Sequence, residues 1–354
     1  TAGKSSLADF LANKKYTSNR DSTHGIQLWR WKTSEGEKAL EVNIWDFGGQ
    51  DYYHTTHNLF LNDKTIFLLL HTNKEKHLEN GEEKQYLLPN YWLGNIRSIT
   101  NKDSAVWYIQ SKSENEELVF LDTELVNRYN VSRQYKISVL SAFNNQENKT
   151  INIDFNYFLA NLMQQLQEMA KKDKLPVSWV AIRDTHLPKW RENDLFLSFD
   201  GFMKKCEDAL QNDNTLRNDF RNSRDGLLTY LKGTGEVVHF EDKPKLSNMI
   251  FLSAQKLTKG IYDVLSKEAF KNKGEFTMAD LEKKDLSKAE IYLNVLKGFN
   301  IIFEKPGEKD VYVAPQYLPE NPHTKRFQQL IKIAYVIHFP DYMSRSLITK
   351  FLVE

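Results

Sequence analysis

Short apolar segments alternate with amphipathic ones through the first 170 residues of the chain. Branched and aromatic side chains predict strands at residues 26–31, 40–45, 65–71, 105–110 and 135–140. Helical patterns lie between them, and residues 153–171 carry apolar side chains at helical spacing. This alternation indicates an α/β domain with a mostly parallel sheet and helices on both faces.

The second half of the chain has a different pattern, which begins after a charged segment that ends at Pro176. Helical patterns at residues 198–212 and 222–232 precede strand-like segments at 236–240 and 248–252. The same order recurs at residues 277–282, 288–297, 301–305 and 310–313. We therefore predict two copies of a helix, helix, hairpin unit that resembles a winged helix.

A third segment follows, with a strand pattern at residues 331–339 and a helical one at 343–353. The predicted domains are residues 1–172, 173–322 and 323–354, and a chain of 354 residues is long enough for two or three cores. Lys and Arg number 48 against 47 Asp and Glu, so no global charge favours nucleic acid or membrane. Cys206 is the only cysteine and no apolar run reaches ~20 residues, which favours a cytoplasmic location.

The chain opens with Thr-Ala-Gly-Lys-Ser-Ser, the final part of a G-x-x-x-x-G-K-[ST] phosphate loop, directly before a helical pattern. In such a loop the backbone amides of Gly3 to Ser6 close on the phosphates. Lys4 neutralises the β- and γ-phosphates, and Ser5 is a ligand of Mg²⁺. The first glycine of the motif would lie three residues before Thr1.

A second element strengthens this interpretation, because the strand at 40–45 runs into Asp46-Phe-Gly-Gly49-Gln50. A strand-end carboxylate can hold Mg²⁺, the Gly49 amide can sense a γ-phosphate, and Gln50 can orient the attacking water. Thr23 lies 18 residues after Ser5 and is the predicted second metal ligand. The predicted catalytic residues are Lys4, Thr23 and Gln50, and the predicted metal ligands are Ser5, Thr23 and Asp46.

The predicted base-binding residues are less regular. The strand at 105–110 leads into Ser111-Lys112-Ser113-Glu114, where a Ras-like G domain carries Asn-Lys-x-Asp. Lys112 fits this pattern, and Glu114 could accept hydrogen bonds from guanine N1 and N2. Ser141-Ala142-Phe143 follows the next strand in the place of a Ser-Ala-Lys element, with an aromatic residue instead of lysine.

Together, the phosphate loop, Ser-Thr-His-Gly-Ile at 22–26 and Trp-Asp-Phe-Gly-Gly-Gln at 45–50 resemble the Roc domain of Roco proteins. Residues 175–179, 230–241 and 312–319 resemble the first half of a COR module, and residues 335–340 resemble the start of its second half. The resemblance implies a Ras-like P-loop G domain followed by an α+β COR module. It also implies GTP as substrate, GDP as product, Mg²⁺ as cofactor and a COR-mediated homodimer.

Two rival functions remain open: a nucleotide-gated scaffold with negligible turnover, and a nucleic-acid-binding module built on the winged-helix-like units. The second is disfavoured because the helical pattern at 288–297 is basic only at its two ends. We interpret His54 and His57 as structural residues, Trp29-Arg30-Trp31 as a half-buried strand, and the charged run at 74–84 as an exposed loop. Arg20 could supply positive charge to the transition state.

Overall fold

A computed structural model of the protein describes residues 2–18, 26–33, 40–48, 65–72, 76–79, 82–85, 87–100, 104–113, 118–147, 152–170, 175–265, 273–318 and 338. These residues divide into two compact units, one ending at Leu257 and the other continuing from Thr258. Apart from residue 338, the strand and helix predicted at 331–353 lie outside the described residues.

The described residues among the first 136 form three sheets. Strands β1 (Ile26–Lys32) and β2 (Glu41–Phe47) pair antiparallel, with Gln27 opposite Asp46. Strands β3 (Phe67–His71), β6 (Val106–Gln110) and β7 (Val131–Lys136) form a parallel sheet in the order β3-β6-β7. Strands β4 (Lys76–Glu79) and β5 (Glu82–Gln85) form a separate hairpin. The parallel sheet confirms the predicted α/β domain.

In the described part of this region, five helices accompany the sheets: α1 (Lys4–Asn13), α2 (Pro89–Ile99), α3 (Thr123–Arg128), α4 (Val139–Glu147) and α5 (Ile153–Ala170). Helix α5 buries Phe155, Phe158 and Leu162, the face that its apolar spacing predicts. These side chains share one core with Phe10 of α1 and Trp107 of β6. Each fully buried side chain of this size contributes on the order of 1.5–3 kcal/mol, so packing of α5 stabilises the whole domain.

Two local predictions were wrong. The strand predicted at 135–140 ends at Lys136, and helix α4 begins at Val139. An apolar run continues through this junction, and apolar character alone does not separate a buried strand from the start of a helix. The charged run at 74–84 was predicted as a loop, but most of it forms the β4–β5 hairpin.

The segment that follows α5 is mainly helical. It contains α6 (Val177–Ala181), a π-helical turn (Ile182–His186), α7 (Leu187–Asn193), α8 (Phe199–Ala209) and α9 (Asn214–Gly233). Strands β8 (Phe196–Ser198), β9 (Val238–His239) and β10 (Met249–Phe251) form an antiparallel sheet in the order β8-β10-β9. Helix α10 (Ala254–Val264) follows. Phe202, Phe220 and Leu231 lie in the core between these elements.

The second unit repeats this topology. Strands β11 (Glu275–Thr277), β12 (Phe303–Glu304) and β13 (Val311–Val313) are ordered β11-β13-β12, and helices α11 (Met278–Asp285) and α12 (Ala289–Gly298) precede the β12–β13 pair. A short 3-10 turn (Pro315–Tyr317) ends the described segment. The predicted pair of helix, helix, hairpin units is therefore present in the fold, although each strand is shorter than its sequence pattern suggested.

None of the helices in the described ranges combines the length with the apolar character of a membrane-spanning segment. Within the same residues, no three side chains of His, Cys, Asp or Glu gather as a metal-binding group. His54 and His57 lie outside the described part of the chain.

Candidate functional site

The start of helix α1 has the backbone that a phosphate loop requires. Gly3 caps this helix in the left-handed region, at φ 77° and ψ 18°, a conformation that costs glycine little. The N-cap residue is a glycine and has no side chain to cap the helix, and no acidic residue lies in the first turn. The amides at this helix start, which include those of Ser5 and Ser6, therefore form a positive helix end suited to an anion.

Lys4 and Asp46 come together at this helix end from distant parts of the chain. Strand β2 carries Asp46 to its carboxyl end, where the side chain is buried. Burial lowers the pKa of Lys4, and the nearby Asp46 carboxylate acts in the opposite direction. The site thus holds a desolvated ammonium beside a buried carboxylate, and both charges would interact strongly with a phosphate and a cation.

The loop after β6 borders the phosphate-loop segment. Lys112 adopts a left-handed backbone with φ 56°. Its side chain crosses over Gly3, since a Cβ atom added at Gly3 would lie 3.8 Å from Lys112 Cε. The predicted base-side lysine and the predicted phosphate-side glycine are therefore neighbours.

A second base-side loop, between β7 and α4, is tied to the first. The Ser113 hydroxyl donates to the Ile137 carbonyl at 3.0 Å, and the Ile137 amide donates to the Gln110 carbonyl at 2.8 Å. Two loops that follow neighbouring parallel strands thus form one edge, which is where ligands of open α/β sheets bind.

The predicted base-side residues Ser141 and Ala142 lie near the start of helix α4. Both residues lie within helix α4, and their amides donate to the hydroxyl and the carbonyl of Ser138 at 2.9 and 3.0 Å. Those amides are already used inside the helix. Ser138 is buried in the loop between β7 and α4, directly before the helix.

Ser111, Ser113 and Ser138 were not among the predicted site residues, although all three are buried at the edge just described. Their common signal is that each lies within three residues after a strand of the parallel sheet. Four predicted site residues lie outside the described part of the chain: Thr23, Gly49, Gln50 and Glu114. The described residues that do converge are Gly3, Lys4, Asp46 and Lys112.

Ser5 and Asp46 carry oxygen atoms of the kind that Mg²⁺ binds. Ser5 offers a hydroxyl at the helix start, and Asp46 offers a buried carboxylate beside Lys4. Hard oxygen donors, few in number and placed next to a phosphate site, are the ligands that Mg²⁺ prefers.

A charged cluster joins the β1–β2 pair to the helical segment that follows α5. Arg30 contacts Glu41 at 2.9 Å and Glu236 at 2.5 Å. Arg183, on the π-helical turn, contacts Glu41 at 2.9 Å. Arg191 of α7 contacts Glu236 at 2.6 Å, and the Glu236 side chain is only 6% exposed. Because each carboxylate bridges two guanidinium groups, the two segments are held in one arrangement.

Further contacts surround this cluster. Arg183 donates to the Tyr230 hydroxyl at 2.6 Å and to Asp184 at 2.7 Å. Its bonds with Asp184 raise the pKa of Arg183 and lower the pKa of Asp184, so both groups stay charged at neutral pH. Asn43 of β2 donates to the Thr234 carbonyl at 2.6 Å. The alternation predicted for residues 29–31 agrees with this arrangement, since Trp31 is buried and Arg30 faces the cluster.

A glycine-lysine-serine helix start beside a strand-end aspartate, on an α/β domain with a parallel sheet, defines the class of P-loop G domains. Residues 1–114 match the family described as "Ras of Complex, Roc, domain of DAPkinase", and residues 176–318 match "C-terminal of Roc, COR-A domain". The chain belongs to the Roco family, with a Roc G domain followed by a COR module.

Individual relatives agree with this assignment. The chain is 23% identical over 329 residues to a "Roc-COR-CHAT protease" from Runella zeae, covering 89% of this chain and 33% of that protein. It is 24% identical over 123 residues to Ras-related protein RABA1c from Arabidopsis thaliana, covering 34% of this chain and 53% of that protein. The chain spans a third or less of the two Roc-COR-CHAT relatives that it matches.

A solved structure has the same fold. It is described as "Structure of methanosarcina barkeri Roco2 RocCORdC bound to GDP", and it superposes with a TM-score of 0.66 at 22% identity. The likeness covers 90% of this chain and 92% of that one. The fold of this chain is therefore that of a Roc–COR pair.

Proposed function

We propose that this chain is a molecular switch that binds guanine nucleotide with Mg²⁺ and hydrolyses GTP to GDP and phosphate. The observation that carries the proposal is the convergence of Gly3, Lys4 and Asp46 at the start of α1. Membership of the Roc family and the GDP bound to the similar Methanosarcina barkeri protein support it.

In this proposal the amides of Gly3 to Ser6 bind the phosphates, and Lys4 compensates the charge of the β- and γ-phosphates. Ser5, Thr23 and Asp46 hold Mg²⁺, which when bound neutralises the charge that develops on the phosphate oxygens. Gly49 senses the γ-phosphate and Gln50 orients the attacking water.

Base recognition is proposed for Lys112, Glu114 and the loop at Ser138. Glu114 accepts hydrogen bonds from guanine N1 and N2, and the Lys112 stem lies along the base. The proximity of Lys112 to Gly3 supports this arrangement, because base and phosphates of one nucleotide must span both loops.

We also propose that the COR module mediates homodimerisation and that the nucleotide state is linked to the balance of monomer and dimer. The charged cluster supports such a link. Along the chain, strand β1 directly follows the segment that contains Thr23, and strand β2 directly precedes Gly49 and Gln50. Glu236 and Arg183 of the COR segment form ion pairs with this pair of strands. A change at either end of the pair would act directly on the COR contact.

The first experiment measures the affinity of the full-length protein for fluorescent GDP, GTP and ATP analogues, with and without Mg²⁺. Lys4→Ala should weaken GDP binding by at least about 100-fold, because it removes a desolvated charge from the phosphates. Lys15→Ala is the matched control, since Lys15 is exposed just after the same helix. Unchanged GDP affinity in Lys4→Ala would refute the phosphate site, and a preference for ATP would refute the base assignment.

A second experiment separates a GTPase from a scaffold with negligible turnover. Phosphate release from the GTP complex should proceed at roughly 10⁻⁴ to 10⁻² per second without a partner, and Gln50→Leu should lower it while leaving GDP affinity unchanged. Tight binding with no phosphate release over a day would favour the scaffold.

A further inference from the structure

Ser111 connects the two halves of the nucleotide site. It is the first residue after β6 and is only 3% exposed. Its hydroxyl lies 2.6 Å from the Ala2 carbonyl, in the phosphate-loop segment, and 2.9 Å from the His71 carbonyl at the end of β3. The Ser111 amide also donates to the His71 carbonyl at 2.8 Å. Three backbone segments that are far apart in sequence therefore meet at one hydroxyl.

The number of protons on this side chain limits what it can bind. A serine hydroxyl has one proton, and both of its partners here are carbonyl oxygens, which only accept. That proton is therefore committed to the main chain. Asparagine, which stands at this position in the motif that the loop resembles, has two amide protons and could bind a carbonyl and a further acceptor together.

Guanine N7 is such an acceptor, and a hydrogen bond to it would need a proton that the protein donates. We propose that Ser111 is a positioning residue that fixes the phosphate loop against the base-side loop, and that this chain binds guanine without a side-chain hydrogen bond from residue 111 to N7. This inference rests on the proposed function. It predicts that discrimination among purines depends on the Watson–Crick edge, which Glu114 would read.

Neighbouring contacts leave Ser111 little freedom to turn toward a base. The Lys112 backbone is left-handed and its stem lies over Gly3, while the Ser113 hydroxyl is bound to the Ile137 carbonyl. Both sides of residue 111 are thus held. Releasing its hydroxyl would leave the buried carbonyl of Ala2 without this bond, a loss that opposes any switch of the proton to a ligand.

The experiment compares the affinities of GDP, 7-deaza-GDP and IDP for the full-length protein. 7-Deaza-GDP lacks the N7 acceptor and IDP lacks the 2-amino donor. We expect GDP and 7-deaza-GDP to bind within about twofold of each other, and IDP to bind about tenfold or more weakly, since loss of one hydrogen bond to a charged carboxylate changes affinity by that amount. A loss of about tenfold with 7-deaza-GDP would overturn the inference.

Variants at position 111 test the positioning role. Ser111→Asn should bind GDP about three- to tenfold more tightly than 7-deaza-GDP, because the second amide proton becomes available for N7. Ser111→Ala should weaken GDP and 7-deaza-GDP equally, and Ser111→Thr, which keeps the hydroxyl, should restore both. An unchanged ratio in a folded Ser111→Asn would overturn the inference that the single proton of Ser111 is what withholds a hydrogen bond from N7.

Failure of the proposed function and failure of the Ser111 inference give different results. If no guanine nucleotide binds, the proposed function is wrong and the inference falls with it. If GDP binds well but 7-deaza-GDP does not, the proposed function stands and only the role of Ser111 is wrong. The wild-type ratio alone decides this, so the test does not depend on a variant that folds.

Discussion

Gly235 allows the close contact between the Roc β1–β2 pair and the COR segment. It follows α9 with φ +75°, and a Cβ atom added there would lie 1.9 Å from Cζ2 and 2.5 Å from Cε2 of Trp45. The Trp45 indole therefore packs directly on the glycine backbone. Asn43 binds the neighbouring Thr234 carbonyl, so strand β2 meets this turn at two positions. Gly235→Ala is the smallest change that tests this contact.

The expected cost of Gly235→Ala has two parts. A left-handed backbone costs alanine about 1 kcal/mol more than glycine. Overpacking against Trp45, which must move by more than about 1 Å, costs about 1–3 kcal/mol. We expect a total loss of about 2–4 kcal/mol in the free energy of unfolding, measured by circular dichroism in urea.

A matched control separates these two parts. Gly307 has φ +82° and nothing within 4 Å of an added Cβ, so Gly307→Ala carries only the backbone cost of about 1 kcal/mol. In a Trp45→Ala background, Gly235→Ala should cost about as little as Gly307→Ala does in the wild type. If Gly235→Ala destabilises the protein no more than Gly307→Ala, the close contact with Trp45 is not present in solution.

Three other predictions follow from burial and charge. Glu236→Gln should lower the free energy of unfolding by about 2–3 kcal/mol, because it removes the nearly buried carboxylate between Arg30 and Arg191. A decrease of less than about 0.5 kcal/mol in urea unfolding would contradict the presence of the charged cluster. Burial raises the pKa of the Cys206 thiol, so iodoacetamide should label this residue only after unfolding, and rapid labelling of the native protein would refute its placement. Burial lowers the pKa of His71 to about 4. Between about pH 6.5 and 4 the histidine is therefore protonated in the unfolded state but neutral in the folded state, and the free energy of unfolding should decrease as the pH falls through this range. His71→Phe should keep the stacking on Tyr108 and flatten that pH dependence in urea titrations; an unchanged slope would show that His71 is accessible to protons when folded.

Contiguous residues determine much of the site by themselves. Gly3-Lys4-Ser5 predicts a phosphate-binding helix start because the left-handed glycine, the helix and the amides of its first turn all lie within a few residues. Asp46 at the end of an apolar strand was selected on equally local grounds. The alternation at Trp31 and Arg30 separated the buried face from the charged one, since strand side chains alternate regardless of the rest of the fold.

The base-side residues show where local patterns lose information. The apolar run after β7 concealed the change from strand to helix, so the pattern placed Ser141 and Ala142 after a strand, whereas both lie within helix α4. The bonds of Ser111 reach Ala2, 109 residues away, and His71, 40 residues away. No spacing rule links these positions, because their meeting depends on which strands become neighbours in the sheet.

The joint between the Roc and COR segments was decided by tertiary structure alone. Arg30 and Glu236 are 206 residues apart, and nothing in the sequence around Gly235 predicts that it contacts Trp45. Sequence determines backbone preferences and the faces of individual helices and strands, because these depend on neighbours along the chain. The packing of those faces against one another determines the rest. It decides which charged groups form a desolvated cluster and that the Trp45 indole packs on Gly235.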